Sequence, residues 1–522
     1  MNTFDFLSIA CSIVPDRTAV VFEGQRYSYQ ELAQRVNRLA NALASLGVSP
    51  GDRVATFQVN CNAVVETYFA AAKLDAVFLP LNFRAKAEEL AVMLRDAEPA
   101  VLMVGERYVE TVKQIQTRLP AKVRPVALDK PVRGWPHYPD IIAGALDEEL
   151  YCPAAGDEDT AVLMFTAGTT GTPKGVMLSH QSFSSYILSN VSPPDPEGEE
   201  ERNLLSVPLY HVAGLQAMLA AIYGGRTIIV MRQFEPEEWM ALAQKERANR
   251  AMMVPTMLKQ LIEHPKFLDY DLSSLKVITY GASPMPIPII VHALQVFPGV
   301  RFINAFGQTE TASTITMLPP EDHDLSGPPE LREKKLRRLG SIGVPLDDVE
   351  VRIVDDDGND VPVGQTGEIV ARGPRLMKGY WKQEEATRQT IRGGWLYTGD
   401  LGYRDEDGYI YLAGRSRDTI KRGGEMIAPD EVEQALMAHP AVDEAAIIGV
   451  PDEEWSERVR AIVVLKPGQT ATEQELIEHC RARLSSFKKP ESVVFVSVLP
   501  RNPMGKVLKR VLKEQYGGAI QS

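Results

Sequence analysis

Cysteine is scarce in this chain. Four occur in 522 residues, at Cys11, Cys61, Cys152 and Cys480, and none forms a CxxC pair. That scatter argues against a disulfide framework or a zinc site and leaves free thiols in a reducing, cytoplasmic setting as the expectation. Positive charge is also short. Lys plus Arg is 56 against 69 Asp plus Glu, a formal net charge of -13. Such a chain lacks the basic footprint of a general nucleic-acid binder, so an anionic ligand must be met by a local device. Long uncharged apolar runs are rare. Leu204–Gly225, "LLSVPLYHVAGLQAMLAAIYGG", could span a bilayer by length, but it contains Pro208, His211, Gln216 and a terminal glycine pair. It reads as a buried strand, a turn at Tyr210–Gly214 and a buried helix, with no transmembrane segment. The first residues lack the basic start of a signal peptide, and the last resemble no peroxisomal or lipidation signal. A weak peripheral membrane contact stays open. Oligomeric state is not legible, a homodimer being one option.

What is present is ordinary globular composition, 44% hydrophobic and 24% charged, in a chain too long for one core. The first three hundred residues alternate helical and strand patterns. "YSYQELAQRVNRLANALASLG" has helical spacing and stops at Gly47, and "RVATFQV", "AVFLPLN", "PAVLMV", "TIIVM" and "LKVITYG" read as strands. Strand–helix alternation predicts βαβ units and largely parallel sheets, enough for two stacked layers. From about Gly340 the pattern changes to strands joined by Asp–Gly turns, as in "VEVRIVDDDGNDVP" and "LGYRDEDGYIYLAGR". That predicts a small β-rich subdomain over about 340–413. The remaining hundred or so residues mix helices and strands, predicting a small α+β domain. The charge run "LREKKLRRLG" reads as a solvated loop.

The most informative stretch is "TAGTTGTPKGV", Thr166–Val176, with three glycines, four threonines and one lysine after the strand "AVLMF". Glycines let backbone N–H groups approach a ligand, hydroxyls add donors and Lys174 adds a cation. Together they make a phosphate cradle. It is not a Walker loop, because Pro173 precedes Lys174 and Gly175 follows it.

This loop resembles the signature of the adenylate-forming superfamily, which includes acyl-CoA synthetases. Further motifs of that family follow in order: "PLYHVAG" (208–214), "YGASPMP" (280–286), "NAFGQTE" (304–310), "GYW" (379–381), "WLYTGD" (395–400), "GRSRDTIKRGGEMIAPDEVE" (414–433) and "PRNPMGK" (500–506). The resemblance covers nearly the whole chain. It implies an α/β large N-terminal domain of two stacked layers with a small β-barrel-like subdomain, residues 1–413. It also implies a hinge at 414–418 and a mobile small α+β C-terminal domain, residues 419–522. The implied enzyme is an AMP-forming acyl-CoA synthetase. ATP and a carboxylic acid give an acyl-adenylate and pyrophosphate, and coenzyme A then gives the thioester and AMP.

The resemblance also implies roles. Thr166, Ala167, Gly168, Thr169, Thr170 and Gly171, with Lys174, would hold the β- and γ-phosphates; Ala167 stands where Ser or Thr is commoner and removes one donor. Thr309 would donate to the α-phosphate. Glu310 would ligate Mg²⁺, an ion that takes one or two carboxylates plus phosphate oxygens, with Thr166 near the metal. Gly281, Ala282, Ser283, Asn304, Ala305, Phe306, Gly307 and Gln308 would wall the adenine slot, Phe306 stacking on the base. Asp400 would hold both ribose hydroxyls and Arg415 would donate to ribose or phosphate. His211 would gate the thiol channel. Arg417, where the family has Asp or Lys, would be the hinge. Lys421, Gly423 and Gly424 would serve the coenzyme A step, and Lys506 would serve adenylation.

The catalytic set expected is therefore Lys506, Thr309, Glu310 and His211. Substrate contacts are expected from His211, Val212, Gly214, Leu215 and Met218, apolar or small groups that suit a medium- or long-chain fatty or a cyclic monocarboxylic acid and a place in fatty-acid metabolism. Two rivals are a free-standing amino-acid adenylation enzyme and a non-catalytic nucleotide sensor of the same fold. The first usually carries an Asp near position 211 and Pro where Gln308 stands, and neither is present. The second conflicts with the retained Lys506, Glu310 and Asp400.

Overall fold

A computed structural model describes residues 1–166, 173–415, 418–422, 425–452, 455–485, 487–501 and 505–518. Among the described residues the large domain holds two α/β sheets and a smaller antiparallel one. The seven-stranded sheet runs Gly379–Tyr380, Lys174–Ser179, Thr160–Thr166, Val77–Pro80, Arg53–Phe57, Val101–Val104 and Arg124–Ala127. The nine-stranded sheet places Thr227–Val230, Arg202–Leu205, Arg250–Met253, Val277–Gly281 and Arg301–Gln308 side by side in parallel. The fully buried strand Thr227–Val230 reads as a continuous apolar run because helices cover the sheet.

Local chemistry fixes the elements. The Tyr29–Ser45 helix starts at a capping box in which Ser28 and Glu31 satisfy each other's backbone N–H groups, and the chain leaves it through Gly47 at φ +89°. The Asp–Gly turns of the β-rich section adopt positive φ at Gly358 and Gly408. They connect strands of an antiparallel sheet built on Glu350–Val354, Gly367–Arg372, Trp395–Arg404 and Ile410–Arg415. "LREKKLRRLG" is not a loop: Pro329–Arg338 is a helix with no buried residue. Proline at its start and strong helix formers after it outweigh the like-charge crowding. Arg338 anchors its end, pairing with Asp322 at 2.7 Å and lying 4.0 Å from the Tyr409 ring centroid.

The smaller C-terminal domain is a five-stranded sheet whose longest pair is Val442–Asp452 with Ser456–Leu465. The Pro429–Met437 and Glu473–Arg481 helices cover it, with Leu436, Leu476 and Cys480 in its core. It rests on the large domain, where Lys259 Nζ meets Asp443 Oδ1 at 2.5 Å. No described helix is long and apolar enough to cross a membrane.

Candidate active site

Strands Thr160–Thr166 and Lys174–Ser179 form an antiparallel hairpin in which Thr166 and Lys174 are register partners. Ala167, Gly168, Thr169, Thr170 and Gly171 lie outside the described residues. Gly175 is required by packing: a Cβ there would stand 2.9 Å from Leu163 Cδ1 and 3.2 Å from Trp381 Cβ. The absent side chain lets Gly379–Tyr380 pair with this hairpin, with Trp381 N donating to Gly175 O at 2.7 Å. Lys174 Nζ then sits 4.7 Å from the centroid of the Tyr380 ring. The Tyr380 hydroxyl donates to Glu310 Oε1 at 3.0 Å. Burial, joined by the Glu310 charge, pushes the Tyr380 hydroxyl well above its ordinary pKa, so it stays a donor. The sequence marks Tyr380 only through "GYW" and assigns it no role.

Glu310 lies on a single 3-10 turn, Thr309–Thr311, whose hydroxyl at Thr311 accepts from Gln308 N at 3.0 Å and donates to Ser313 O at 2.8 Å. The chain doubles back sharply here. A Cβ on Gly307 would lie 1.4 Å from Ser313 O, and Ala312 and Ser313 take φ +47° and +88°. Gln308 Nε2 donates to Thr398 O at 3.3 Å, and Thr398 Oγ1 accepts from Asp400 N at 3.1 Å. Thr309, Glu310 and the buried Asp400 are thus held by one network. Asp400 pairs across a hairpin with Arg415, whose side chain lies outside the described residues.

The expected adenine walls lie on adjacent strands. A Cβ on Gly281 would stand 2.1 Å from Ala305 O, so only glycine allows that approach. Ala282 is held at φ +68°, a strained conformation for a non-glycine residue and the kind that clusters at functional sites. Asn304 Nδ2 donates to Ser341 O at 3.1 Å. Phe306 packs half-buried against the core of the β-rich subdomain.

Lys506 comes from the other domain. It lines an interdomain cavity of about 370 Å³ that also holds Ser283, His292, Asp430, Glu433 and Lys509. Gly505, at φ +75°, makes the approach possible, because a Cβ would meet Thr256 Oγ1 at 2.4 Å. Arg417, Gly423 and Gly424 lie outside the described residues. Lys421 lies on the Ile420–Arg422 strand, its side chain undescribed.

His211 caps the Val212–Tyr223 helix. Gly214 allows the preceding turn, since a Cβ would stand 2.4 Å from Pro208 O. The His211 ring packs against Tyr210 at 4.3 Å, and its Nε2 is shut off from solvent with no hydrogen-bond partner among the described residues. Burial, helped by the charge of Arg84, pulls its pKa down to about 3, so the ring is neutral at pH 7.

Beneath this helix lies a cavity of about 260 Å³. Its helical wall is Ala213, Gln216, Ala217 and Ala220, at i, i+3, i+4 and i+7. Of the residues expected to contact substrate, Val212, Leu215 and Met218 point the other way, into the hydrophobic core, and Gly214 packs on the turn. Apart from Gln216 the helix is apolar or small on every side, so hydropathy does not choose its face. Ala305 links this cavity to the adenine wall. The lining is not free of charge either. Glu201 pairs with Arg226, and with Arg250 at 2.7 Å. Burial would raise the pKa of Glu201, but the two guanidiniums outweigh it and hold the carboxyl below its usual range.

A carboxylate at Glu310, held by the Tyr380 hydroxyl whose ring also meets Lys174, suits Mg²⁺ carried in with phosphates, since this ion keeps few protein ligands. A cage of three or more His, Cys, Asp or Glu is absent among the described residues. Comparison with known proteins identifies the family. The family model described as AMP-binding enzyme matches residues 8–381, and that of the AMP-binding enzyme C-terminal domain matches 431–506. The chain belongs to this family of adenylate-forming acyl-CoA ligases. It is 37% identical over 508 residues to a feruloyl-CoA synthase of Amycolatopsis, covering 96% of each chain. It is 34% identical to a long-chain-fatty-acid–CoA ligase of Mycobacterium tuberculosis, over 95% of this chain and 94% of the other. The ATP-bound structure of MatB from Rhodopseudomonas palustris superposes with a TM-score of 0.86 at 30% identity, covering 99% of both chains. The protein is accordingly an acid–thiol ligase that uses ATP, Mg²⁺ and coenzyme A.

Proposed function

We propose that this ligase activates a compact, ring-bearing monocarboxylic acid, the cyclic end of the range expected from sequence. The names of its relatives span aromatic and long-chain acids and do not choose between them. The supporting observation is the cavity under the Val212–Tyr223 helix. Its volume of about 260 Å³ falls short of the roughly 300–1,000 Å³ of pockets for drug-sized ligands. Its lining includes Asn203, Gln216, Arg226 and Arg250, the two arginines paired to Glu201 behind them, and a long alkyl chain would bury these polar groups without compensation.

In this reading Lys174 and the loop from Thr166 to Gly171 hold the β- and γ-phosphates, Thr309 meets the α-phosphate, and Glu310, positioned by Tyr380, with Thr166 nearby, would hold the magnesium ion that neutralises phosphate charge. Phe306 stacks on adenine between the Gly281–Ser283 and Asn304–Gln308 walls. Asp400 and Arg415 hold the ribose. Lys506 stands between the carboxylate and the α-phosphate during adenylation, where preorganised charge acts most strongly. The small domain then turns about Arg417, Lys421, Gly423 and Gly424 come into play for coenzyme A, and neutral His211 guards the thiol entry without contributing charge. The boundaries 1–413, 414–418 and 419–522 follow from that motion. A cytoplasmic setting fits the four unpaired cysteines.

The test is an initial-rate survey of pyrophosphate release over straight-chain acids from acetate to C16 and over benzoate, coumarate, phenylacetate and cyclohexanecarboxylate. The ring-bearing acids should show the highest kcat/KM. A maximum at C12–C16 would overturn the reading.

A further inference from the structure

Gln216 is 4% exposed, and neither its amide nitrogen nor its amide oxygen has a hydrogen-bond partner among the described residues. The three other residues that this helix turns toward the cavity are all alanine. Asn203 Oδ1, across the same cavity, is likewise buried and unpartnered. Unpaired buried amide atoms are costly, and a leucine at 216 would fill the same space without that cost. Both residues line the cavity, so a ligand there is the partner within reach of their amides.

The chemistry of the lining narrows the ligand further. Arg226 and Arg250 are both engaged by Glu201. A second carboxylate on the substrate would have to compete with Glu201 for them. What stands unpartnered among the described residues is one N–H donor group and two carbonyl acceptors, which together match a neutral group that donates and accepts at once. That group is a hydroxyl. Gln216 lies five residues beyond the His211 cap, or about 7.5 Å at the helical rise of about 1.5 Å per residue. This is roughly the length of one aromatic ring with its hydroxyl.

We propose that Gln216, with Asn203, is a specificity-determining pair that reads a hydroxyl on the ring of the acid, at the end remote from its carboxyl. The inference rests on the compact-acid reading above. A site built to bond a substrate hydroxyl rejects the analogue lacking it, because the buried amide is then left unpaired. The unsubstituted acid therefore suffers in the wild-type enzyme, and the hydroxylated acid suffers when the amide is removed.

The experiment compares pairs that differ only in the hydroxyl: 4-hydroxybenzoate with benzoate, and 4-coumarate with cinnamate. Pyrophosphate release gives kcat/KM for the wild type and for Gln216→Met, which keeps length and helix preference but no amide. The wild type should favour the hydroxylated member of at least one pair by roughly tenfold to a hundredfold. Gln216→Met should lower kcat/KM for the hydroxylated acid by a similar factor and raise it for the unsubstituted one. An unchanged ratio in a folded variant overturns the role of Gln216 while leaving the compact-acid reading standing. Wild-type turnover confined to long-chain acids overturns both. Should Gln216→Met fail to fold, the wild-type ratio decides: equal kcat/KM within both pairs overturns the proposal.

Discussion

Charge at single residues in this protein is set by what surrounds them. Glu310 is held by the Tyr380 hydroxyl at 3.0 Å, which orients the carboxylate. Glu310→Gln keeps an acceptor for Tyr380 and removes only the charge. It should lower magnesium-dependent pyrophosphate release on the order of a hundredfold with no loss of melting temperature. Tyr380→Phe, which removes the orienting donor, should cost roughly tenfold. A magnesium titration checks both, and wild-type curves from Glu310→Gln would remove Glu310 from the metal. His180 shows the same logic in a structural setting. Its Nδ1 accepts from Thr3 N at 3.1 Å, and burial pulls its pKa down to about 4. The unfolded value is near 6.5, so the unfolded chain binds the proton more readily. The stability this histidine allows is complete above pH 6.5 and is lost as the pH falls toward 4, because a proton on Nδ1 would face the Thr3 N–H. The loss should reach about 2 kcal/mol at pH 5. Urea unfolding at pH 7.5 and pH 5 should show a smaller loss in His180→Asn, whose side-chain oxygen still accepts without titrating. Parallel losses in the two proteins would exclude His180 as the source.

Elements were legible wherever periodicity and punctuation agreed. The Tyr29–Ser45 helix, the parallel strands and the Asp–Gly hairpins all follow from local pattern, and their places in the chain match the motifs they carry. Three things were not legible, each for a physical reason. The Pro329–Arg338 helix hides in a charge run because Leu336, half-buried against the core, is its one apolar anchor, and the rest of its support is propensity and Arg338 at its end. The orientation of the Val212–Tyr223 helix is hidden because apolar residues surround it. Core packing claims Val212, Leu215 and Met218, while the small residues one step away border the cavity. The contacts of Glu310 with Tyr380 and of Gln308 with Thr398 join residues seventy and ninety positions apart, and no local pattern encodes such a pairing. The glycines show the same division. Gly281 and Gly307 were legible as parts of motifs, but the reason each must be glycine is a backbone carbonyl supplied by a neighbouring strand or returning chain.

At the scale of the whole molecule, the proposed mechanism has the small domain deliver Lys506 to a site otherwise built by the large domain. Lys506 borders the interdomain cavity beside Ser283, and Gly505 lets its segment press against Thr256. The Lys259–Asp443 ion pair ties the two domains in this arrangement. Adenylation brings an anionic carboxylate against an anionic phosphate, in a protein whose net charge is already -13. A cation supplied at that moment lowers the barrier only for that step. Thioester formation begins from an acyl-adenylate whose carboxyl charge is gone, and the proposed turn of the small domain removes Lys506. Losing one preorganised donor costs on the order of a hundred- to a thousandfold in rate. Lys506→Ala should therefore lose pyrophosphate release by about that factor. Given synthetic acyl-adenylate and coenzyme A, the same variant should form thioester at close to the wild-type rate. Equal losses in both half-reactions, in a variant that melts normally, would mean that Lys506 serves both steps from one position and that the small domain does not alternate.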